Sequence, residues 1–236
     1  MPKPGSLFLI PTPLAAETAL PLPQQELERI KHLRFFVAER AKTARAHLKQ
    51  YGFNLPNIEV IELNKHDNND TEAFDKAKTE LLQGTDVGFL SEAGCPGIAD
   101  PGAKLVALAH QSNIPVEPLI GPSSILLSLM ASGFNGQQFR FIGYLPSEKN
   151  QCKQELLKLQ QLAQKNETQI FIETPYRNKQ LIAELLKSLA PDLKLCIAYN
   201  LHGSNQFIKT QTIQQWQKSA TTIPDEKQPC IFLLGS

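Results

Sequence analysis

The sequence predicts an α/β protein of two α/β domains, the first with a mostly parallel sheet and the second with a mixed sheet. Three observations carry this. Short apolar runs alternate with helically spaced segments through the first half. The strand and helix signals begin afresh after Gly121-Pro122. The last apolar runs then lie close together, with little helix between them. Alternation of the first kind needs parallel strands with crossover helices, whereas closely spaced strands pair antiparallel.

In chain order, strands are expected at 6–10, 35–39, 59–63, 86–90 and 114–119. Helical spacing marks 24–31, 41–50, 71–82 and 103–111 between them. Asp100 is expected to cap the last of these helices, with Pro101 at its first position. Gly121-Pro122 opens a helix over 123–132, which Gly133 stops. That helix is apolar almost all round, so it is expected to be buried. Later strands are expected at 139–144, 169–173, 193–199, 207–212 and 230–234, with helices at 151–165 and 176–189. The polar stretch 218–229 reads as a loop. The segment from Pro118 to Pro122 is the best boundary, placing the domains at 1–118 and 119–236.

Composition excludes several function classes. The chain has 236 residues, 42% of them hydrophobic, enough to bury a core in each of two domains. With 24 basic and 23 acidic residues, there is no global pull toward nucleic acid or membrane. The first apolar run is short and interrupted by Pro11 and Pro13, and the longest apolar stretch, 125–131, is far short of a membrane span. A soluble, cytoplasmic protein without membrane association is therefore expected. The four cysteines, Cys95, Cys152, Cys196 and Cys230, have no Cys-x-x-Cys spacing, and the five histidines form no ligand pattern. No metal is expected, and the cysteines read as reduced packing residues.

The chemistry-bearing feature is the loop Ser91-Glu92-Ala93-Gly94-Cys95-Pro96-Gly97-Ile98-Ala99-Asp100-Pro101-Gly102. Its glycines allow positive φ and close approach of backbone to a ligand, while its prolines limit its freedom. It leaves the carboxyl end of a strand and opens a helix, where open α/β sheets bind ligands. A tight connection with no ligand fits the same composition. There is no G-x-G-x-x-G, and Ala103 separates Gly102 from Lys104 with no Ser or Thr following. Dinucleotide and P-loop nucleotide sites are therefore disfavoured.

That loop is similar to the S-D-A-G-T-P-G-I-S-D-P-G signature of the tetrapyrrole methylase superfamily. Within it, the chain most resembles the branch that methylates a ribose 2′-hydroxyl of small-subunit ribosomal RNA. Ordered matches along the chain support this: SLFLIPTPL at 6–14, a strand and helix at 36–48, IGPSS at 120–124, FRFIGYLP at 139–146 and FIETPYR at 171–177. The resemblance implies a homodimer, and S-adenosylmethionine held in a cleft between the two domains. It implies cofactor contacts from Pro13, Ala93, Gly94, Cys95, Ile98, Ser123 and Ser124, with Thr174 and Leu201 as further positions. It also implies ribosomal RNA, or the small ribosomal subunit, as partner.

The chain departs from the family elsewhere. Its opening continues Leu14-Ala15-Ala16 rather than I-G-N, and Arg40 replaces the Asp of A-E-D-T-R, although Glu39 is retained and Arg45 matches a basic position. Asn64-Lys65-His66-Asp67 stands for H-E-H-N, and 147–158 carries fewer basic residues than the family's run. The cofactor half is kept and the substrate half is changed. Three readings follow: a methyltransferase for an rRNA ribose, one for a tetrapyrrole or other small molecule, and a protein that binds S-adenosylmethionine without catalysis.

Proton transfer from a hydroxyl acceptor calls for a base near the methyl donor. Glu39, His66 and Glu173 are the main candidates, with Asp67 beside them. The alternatives are a surface pair of Glu39 with Lys42 or Arg45, a solvated loop role for His66, and a buried role for Glu173 tying Arg177 or a helix start. Lys42, Arg45 and Lys49 share one helix face and suit phosphate contact, as does Arg177. A merely solvated face reads equally well for the three helix residues.

Overall fold

A computed structural model describes residues 3–15, 22–63, 71–219, 222–224 and 227–236. The chain divides into two compact units, Met1–Ser123 and Ser124–Ser236.

The first unit runs β1 (Leu7–Ile10), α1 (Gln24–Ile30), β2 (Phe35–Ala38), α2 (Ala41–Gln50), β3 (Glu59–Glu62), α3 (Thr71–Leu82), β4 (Val87–Leu90), α4 (Gly102–Gln111) and β5 (Val116–Pro118). Its sheet has the order β3-β2-β4-β1-β5, with every pairing parallel. Both faces are covered, as an all-parallel sheet requires. Alternate residues of one strand serve different cores. Phe36 joins Phe8, Ile30 and Leu48 on the face packed by α1 and α2. Phe35 and Val37 join Phe74, Leu81 and Leu105 on the face packed by α3 and α4. At Gly88 the first core leaves no room for a side chain. A Cβ there would stand 2.6 Å from the Phe36 ring and 2.8 Å from Ile10.

Strand register decides where the loops emerge. Ile10 and Ala38 both align with Leu90. The segments that follow, at 11–13, 39–40 and 91–92, therefore leave the sheet side by side. The connection from β1 runs to one side of the sheet, and that from β4 to the other. Their boundary is a topological switch point, the place where such sheets bind ligands.

The second unit runs α5 (Ser124–Ser132), β6 (Phe139–Tyr144), α6 (Lys149–Gln164), β7 (Thr168–Glu173), α7 (Asn178–Ser188), β8 (Lys194–Tyr199), β9 (Phe207–Thr212), α8 (Ile213–Ser219) and β10 (Cys230–Gly235). The sheet order is β6-β7-β10-β8-β9. β6 and β7 are parallel and the remaining pairs antiparallel, so this sheet is mixed. Its core stacks Phe171 on Phe232 and buries Trp216, whose indole N–H donates to the Leu195 carbonyl at 2.8 Å.

Three expectations are corrected. The helix at 124–132 is not buried all round: Leu126 is 51% and Met130 79% exposed. Only one of its faces finds a sheet to cover. The polar stretch from Lys218 begins inside a helix, α8, which Ile213 and Trp216 anchor by burial. Two buried positions in seven residues are too few to show a helical period. At α4, Pro101 occupies the cap position and the helix starts at Gly102. Asp100 still serves that end, since its carboxylate accepts the Gly102 N–H at 2.7 Å.

Among the described residues, no helix is long and apolar enough to cross a membrane.

Candidate functional site

The loop of 91–102 is built on the carboxyl ends of β1 and β4. Thr12 and Gly94 form an isolated antiparallel bridge, with N–H to carbonyl distances of 3.0 and 3.1 Å. The fully buried Thr12 hydroxyl reaches the Ser91 carbonyl at 3.4 Å. Pro13 follows Thr12 and is buried. The Cys95 thiol donates to the Pro122 carbonyl at 3.1 Å. Burial pushes that thiol's pKa up, so it stays a neutral donor. Gly121 in turn lies against Pro11, where an added Cβ would stand 2.1 Å from the proline Cβ. Three separate stretches, 11–13, 91–95 and 121–122, are thus tied into one backbone cage. The predicted cofactor positions Pro13, Ala93, Gly94 and Cys95 sit in it, and Ser123 follows directly.

The second half of the loop is held by one carboxylate. Asp100 accepts the Gly97 N–H at 2.8 and 2.9 Å and the Gly102 N–H at 2.7 Å. Burial raises its pKa, and the backbone donors at Gly102 and Gly97 pull it back down. Gly94 (φ +76°), Gly97 (φ +84°) and Ala99 (φ 62°) all take left-handed backbone. For Ala99 that conformation is strained. Between them Ile98 is 49% exposed, an apolar side chain presented to solvent.

The β2 end clasps the loop's start. Glu39 Oε1 accepts the Glu92 N–H at 3.1 Å, and Arg40 Nε pairs with Glu92 Oε1 at 2.8 Å. Arg40, where the family carries Asp, therefore has a partner within this loop. Both ring nitrogens of His47 on α2 are buried without a hydrogen-bond partner among the described residues. Burial lowers the pKa of this histidine. The Gln50 side chain and Glu92 backbone lie near the ring and oppose the shift, at geometry too loose for a hydrogen bond. The Tyr51 hydroxyl donates to the buried Pro11 carbonyl at 2.8 Å, fixing the β1 end from below.

The exposed side chains of Lys42, Arg45 and Lys49 lie along α2 at i, i+3 and i+7, on one face. His66 and Asp67 lie outside the described residues.

In the second unit, Glu173 ends β7 with its side chain fully buried. Its Oε1 accepts the Thr174 N–H at 2.7 Å, and its Oε2 stands 3.2 Å from Arg177. The carboxylate thus ties both the turn and the arginine. Ser124 starts α5, and Leu201 is buried in the turn after β8. Asn200 and His202, on either side of Leu201, take positive φ. Sequence reasoning assigned no role to Glu92 or Tyr51, because each acts through a partner distant in the chain, nor to His47, whose burial exists only in the folded unit.

The cage fits S-adenosylmethionine in kind. It offers backbone groups, a neutral thiol and glycines at the loop's turns, so a ligand with a sulfonium cation as well as its amino-acid charges meets no cation among these groups to repel it. Both loop carboxylates, Glu92 and Asp100, are already engaged.

A cage of this kind on a parallel sheet, joined in one chain to a mixed-sheet unit, defines a class. The chain belongs to the Tetrapyrrole (Corrin/Porphyrin) Methylases, whose family pattern it matches over residues 13–217. It is accordingly a methyltransferase, and the methyl donor of this family is S-adenosylmethionine. Its curated relatives include the Ribosomal RNA small subunit methyltransferase I of Buchnera aphidicola subsp. Schizaphis graminum. That protein is 32% identical over 219 residues, covering 92% of this chain and 73% of the relative. The protein of the same name from Synechocystis sp. is 28% identical over 98% of this chain and 80% of its own. In fold, the chain is similar to the methyltransferase CobJ, with TM-score 0.65 at 14% identity, covering 98% and 94% of the two chains. It is also similar to uroporphyrin III C-methyl transferase from Thermus thermophilus, with TM-score 0.60 at 15% identity over 98% of each.

Proposed function

We propose that this chain methylates a ribose 2′-hydroxyl of small-subunit ribosomal RNA, as a cytoplasmic homodimer. The observation that carries the acceptor is the name shared by relatives that align over nine-tenths of the chain or more. S-adenosylmethionine supplies a methyl group on an electrophilic sulfonium. In this reading Pro13, Ala93, Gly94, Cys95, Ser123 and Ser124 hold it through backbone and small polar groups, and Ile98 gives apolar cover. Thr174 and Leu201 are assigned to it from the second unit.

Displacement at a methyl group is accelerated chiefly by holding the acceptor oxygen in line. Glu39, at the carboxyl edge of the sheet, is the carboxylate assigned to receive the hydroxyl proton and to keep Glu92 in place. Glu173 is assigned to orient Arg177, and His66 keeps the candidate role its sequence position suggests. Lys42 and Arg45 are assigned to acceptor phosphates, supported by their exposed common face on α2. The homodimer is supported by the apolar side chains Leu126, Met130, Phe139 and Tyr144, which the second unit leaves exposed.

The test is transfer of labelled methyl from S-adenosylmethionine to purified small ribosomal subunits, followed by mass spectrometry of the rRNA nucleosides. A 2′-O-methylated nucleoside absent from the untreated subunit is expected. Transfer to a base, or none despite cofactor binding by calorimetry, sinks the ribose assignment.

A further inference from the structure

The second unit carries a cavity of about 280 Å³, and of its lining residues only Arg177 has a role above. It lies between the first turn of α6 and one face of α7, at the carboxyl ends of the parallel strands β6 and β7. Its cations are Lys149, Arg177 and Lys187. Its carboxylate is Glu184, which already accepts the Ser188 hydroxyl. Buried Cys152 lies among the lining residues, and burial raises its pKa, so it adds no charge there.

The lining positions Arg177, Gln180, Glu184 and Lys187 follow helical spacing along α7. The space is therefore a groove and not a point. Arg177, at the cap of α7, and Lys187 are ten positions apart, roughly 15 Å at the α-helical rise. One inorganic phosphate cannot meet cations so far apart, but a chain of phosphates can. Arg177 is turned by its pair with buried Glu173, at 3.2 Å, and its side chain stays one-third exposed. The residue before it, Tyr176, is 79% exposed, with the Lys227 ammonium 5.0 Å from its ring centre. Tyr176 is not itself a lining residue but adjoins Arg177 in the chain, and three cations against the one carboxylate of Glu184 leave the lining net positive. An exposed aromatic ring next to such a groove is the combination that binds single-stranded nucleic acid: bases stack while phosphates are neutralised.

We propose that this groove is a backbone-binding track for single-stranded RNA, with Lys149, Arg177 and Lys187 each on a phosphate of the same strand and Tyr176 stacking a base. The inference rests on the RNA acceptor proposed above and adds a site remote in sequence from α2.

The test is fluorescence anisotropy of the full chain with a short labelled single-stranded RNA over a range of salt. Wild type is compared with the double variant Lys149→Ala, Lys187→Ala and with Tyr176→Ala. Both lysines are exposed, so the fold does not depend on them. The double variant is expected to flatten the log–log salt dependence by about 1.4, roughly 0.7 per lost phosphate contact on a single strand. Tyr176→Ala is expected to weaken binding about tenfold at any salt. Unchanged affinity and slope in the double variant overturn the track while leaving the methyltransferase reading intact. So does loss of inorganic phosphate binding, by calorimetry, with RNA affinity unchanged, since the groove would then hold a free anion. A wild-type chain that binds S-adenosylmethionine but not the single-stranded RNA overturns the track, while the acceptor is still decided by methyl transfer to small subunits.

Discussion

The Glu39 carboxylate at the end of β2 accepts the backbone N–H of Glu92, the second residue of the glycine-rich loop, at 3.1 Å. The two residues are 53 apart in sequence and adjacent only because β2 and β4 pair in register. A carboxylate assigned to the acceptor thus also holds the loop assigned to the cofactor.

Those two roles separate on substitution. Glu39→Gln keeps an oxygen for the Glu92 N–H, so cofactor affinity by calorimetry is expected to stay within about threefold, or roughly 0.6 kcal/mol. Glu39→Ala removes the acceptor and is expected to weaken affinity about tenfold, near 1.4 kcal/mol. A Gln variant that binds normally but turns over slowly assigns proton acceptance to Glu39. Equal turnover in Gln and wild type removes that role.

Asp100 gathers two N–H groups of one loop into a single carboxylate. Asp100→Ala leaves them without that partner, at a cost of about 1–3 kcal/mol if water does not replace it. Melting temperature and cofactor affinity are both expected to fall. An unchanged calorimetric affinity would show that the loop is held without this carboxylate.

Gly121 meets Pro11 with no room for a side chain. Gly121→Ala must push the backbone of 121–122 away from β1, and overpacking of this kind costs about 1–3 kcal/mol. Because Cys95 is tied to Pro122, cofactor binding is expected to weaken along with thermal stability. A variant with wild-type melting and affinity contradicts the cage.

His47 sets an acid limit. Its ordinary pKa of 6.5 is lowered by burial in the folded chain. Below pH 6.5 the unfolded chain therefore binds a proton that the folded chain resists. Stability is expected to be full above that pH and to fall as pH drops through the folded value. In His47→Leu the fall between pH 6.5 and 5, about the range where histidine titrates, is expected to shrink, as read by melting temperature against pH. An identical pH profile in the variant excludes His47 as its source.

The exposed apolar face of α5 bears on assembly. Met130→Lys is expected to shift sedimentation velocity from dimer toward monomer, since a charge in an apolar contact is costly to bury. A dimer of unchanged affinity moves the interface elsewhere.

Much of the fold was legible in order. Helices α2 and α3 begin and end where their apolar spacing says, and β2 and β4 read as strands because both faces are buried. Legibility failed where burial was uneven: α8 rests on Ile213 and Trp216 alone, and α5 has an apolar face that its own unit leaves uncovered. At the site, the glycines and prolines of 91–102 marked the loop because backbone freedom is a local property. The ties from Glu39, Arg40, Thr12 and Tyr51 carried no mark, because an acid or a hydroxyl looks the same in sequence whether its partner is water or a backbone group far along the chain.

What the sequence determined by itself was the type and order of elements, the loop's unusual backbone and the family resemblance, all of which depend on residue spacing along the chain. The tertiary structure alone decided which segments meet: that Thr12, Gly94, Cys95 and Pro122 form one cage, that Arg40 pairs with Glu92, and that Arg177 and Lys187 line one groove. The reason is physical. Spacing sets local conformation, but contacts between distant residues are set by strand register and core packing, which exist only once the whole unit has folded.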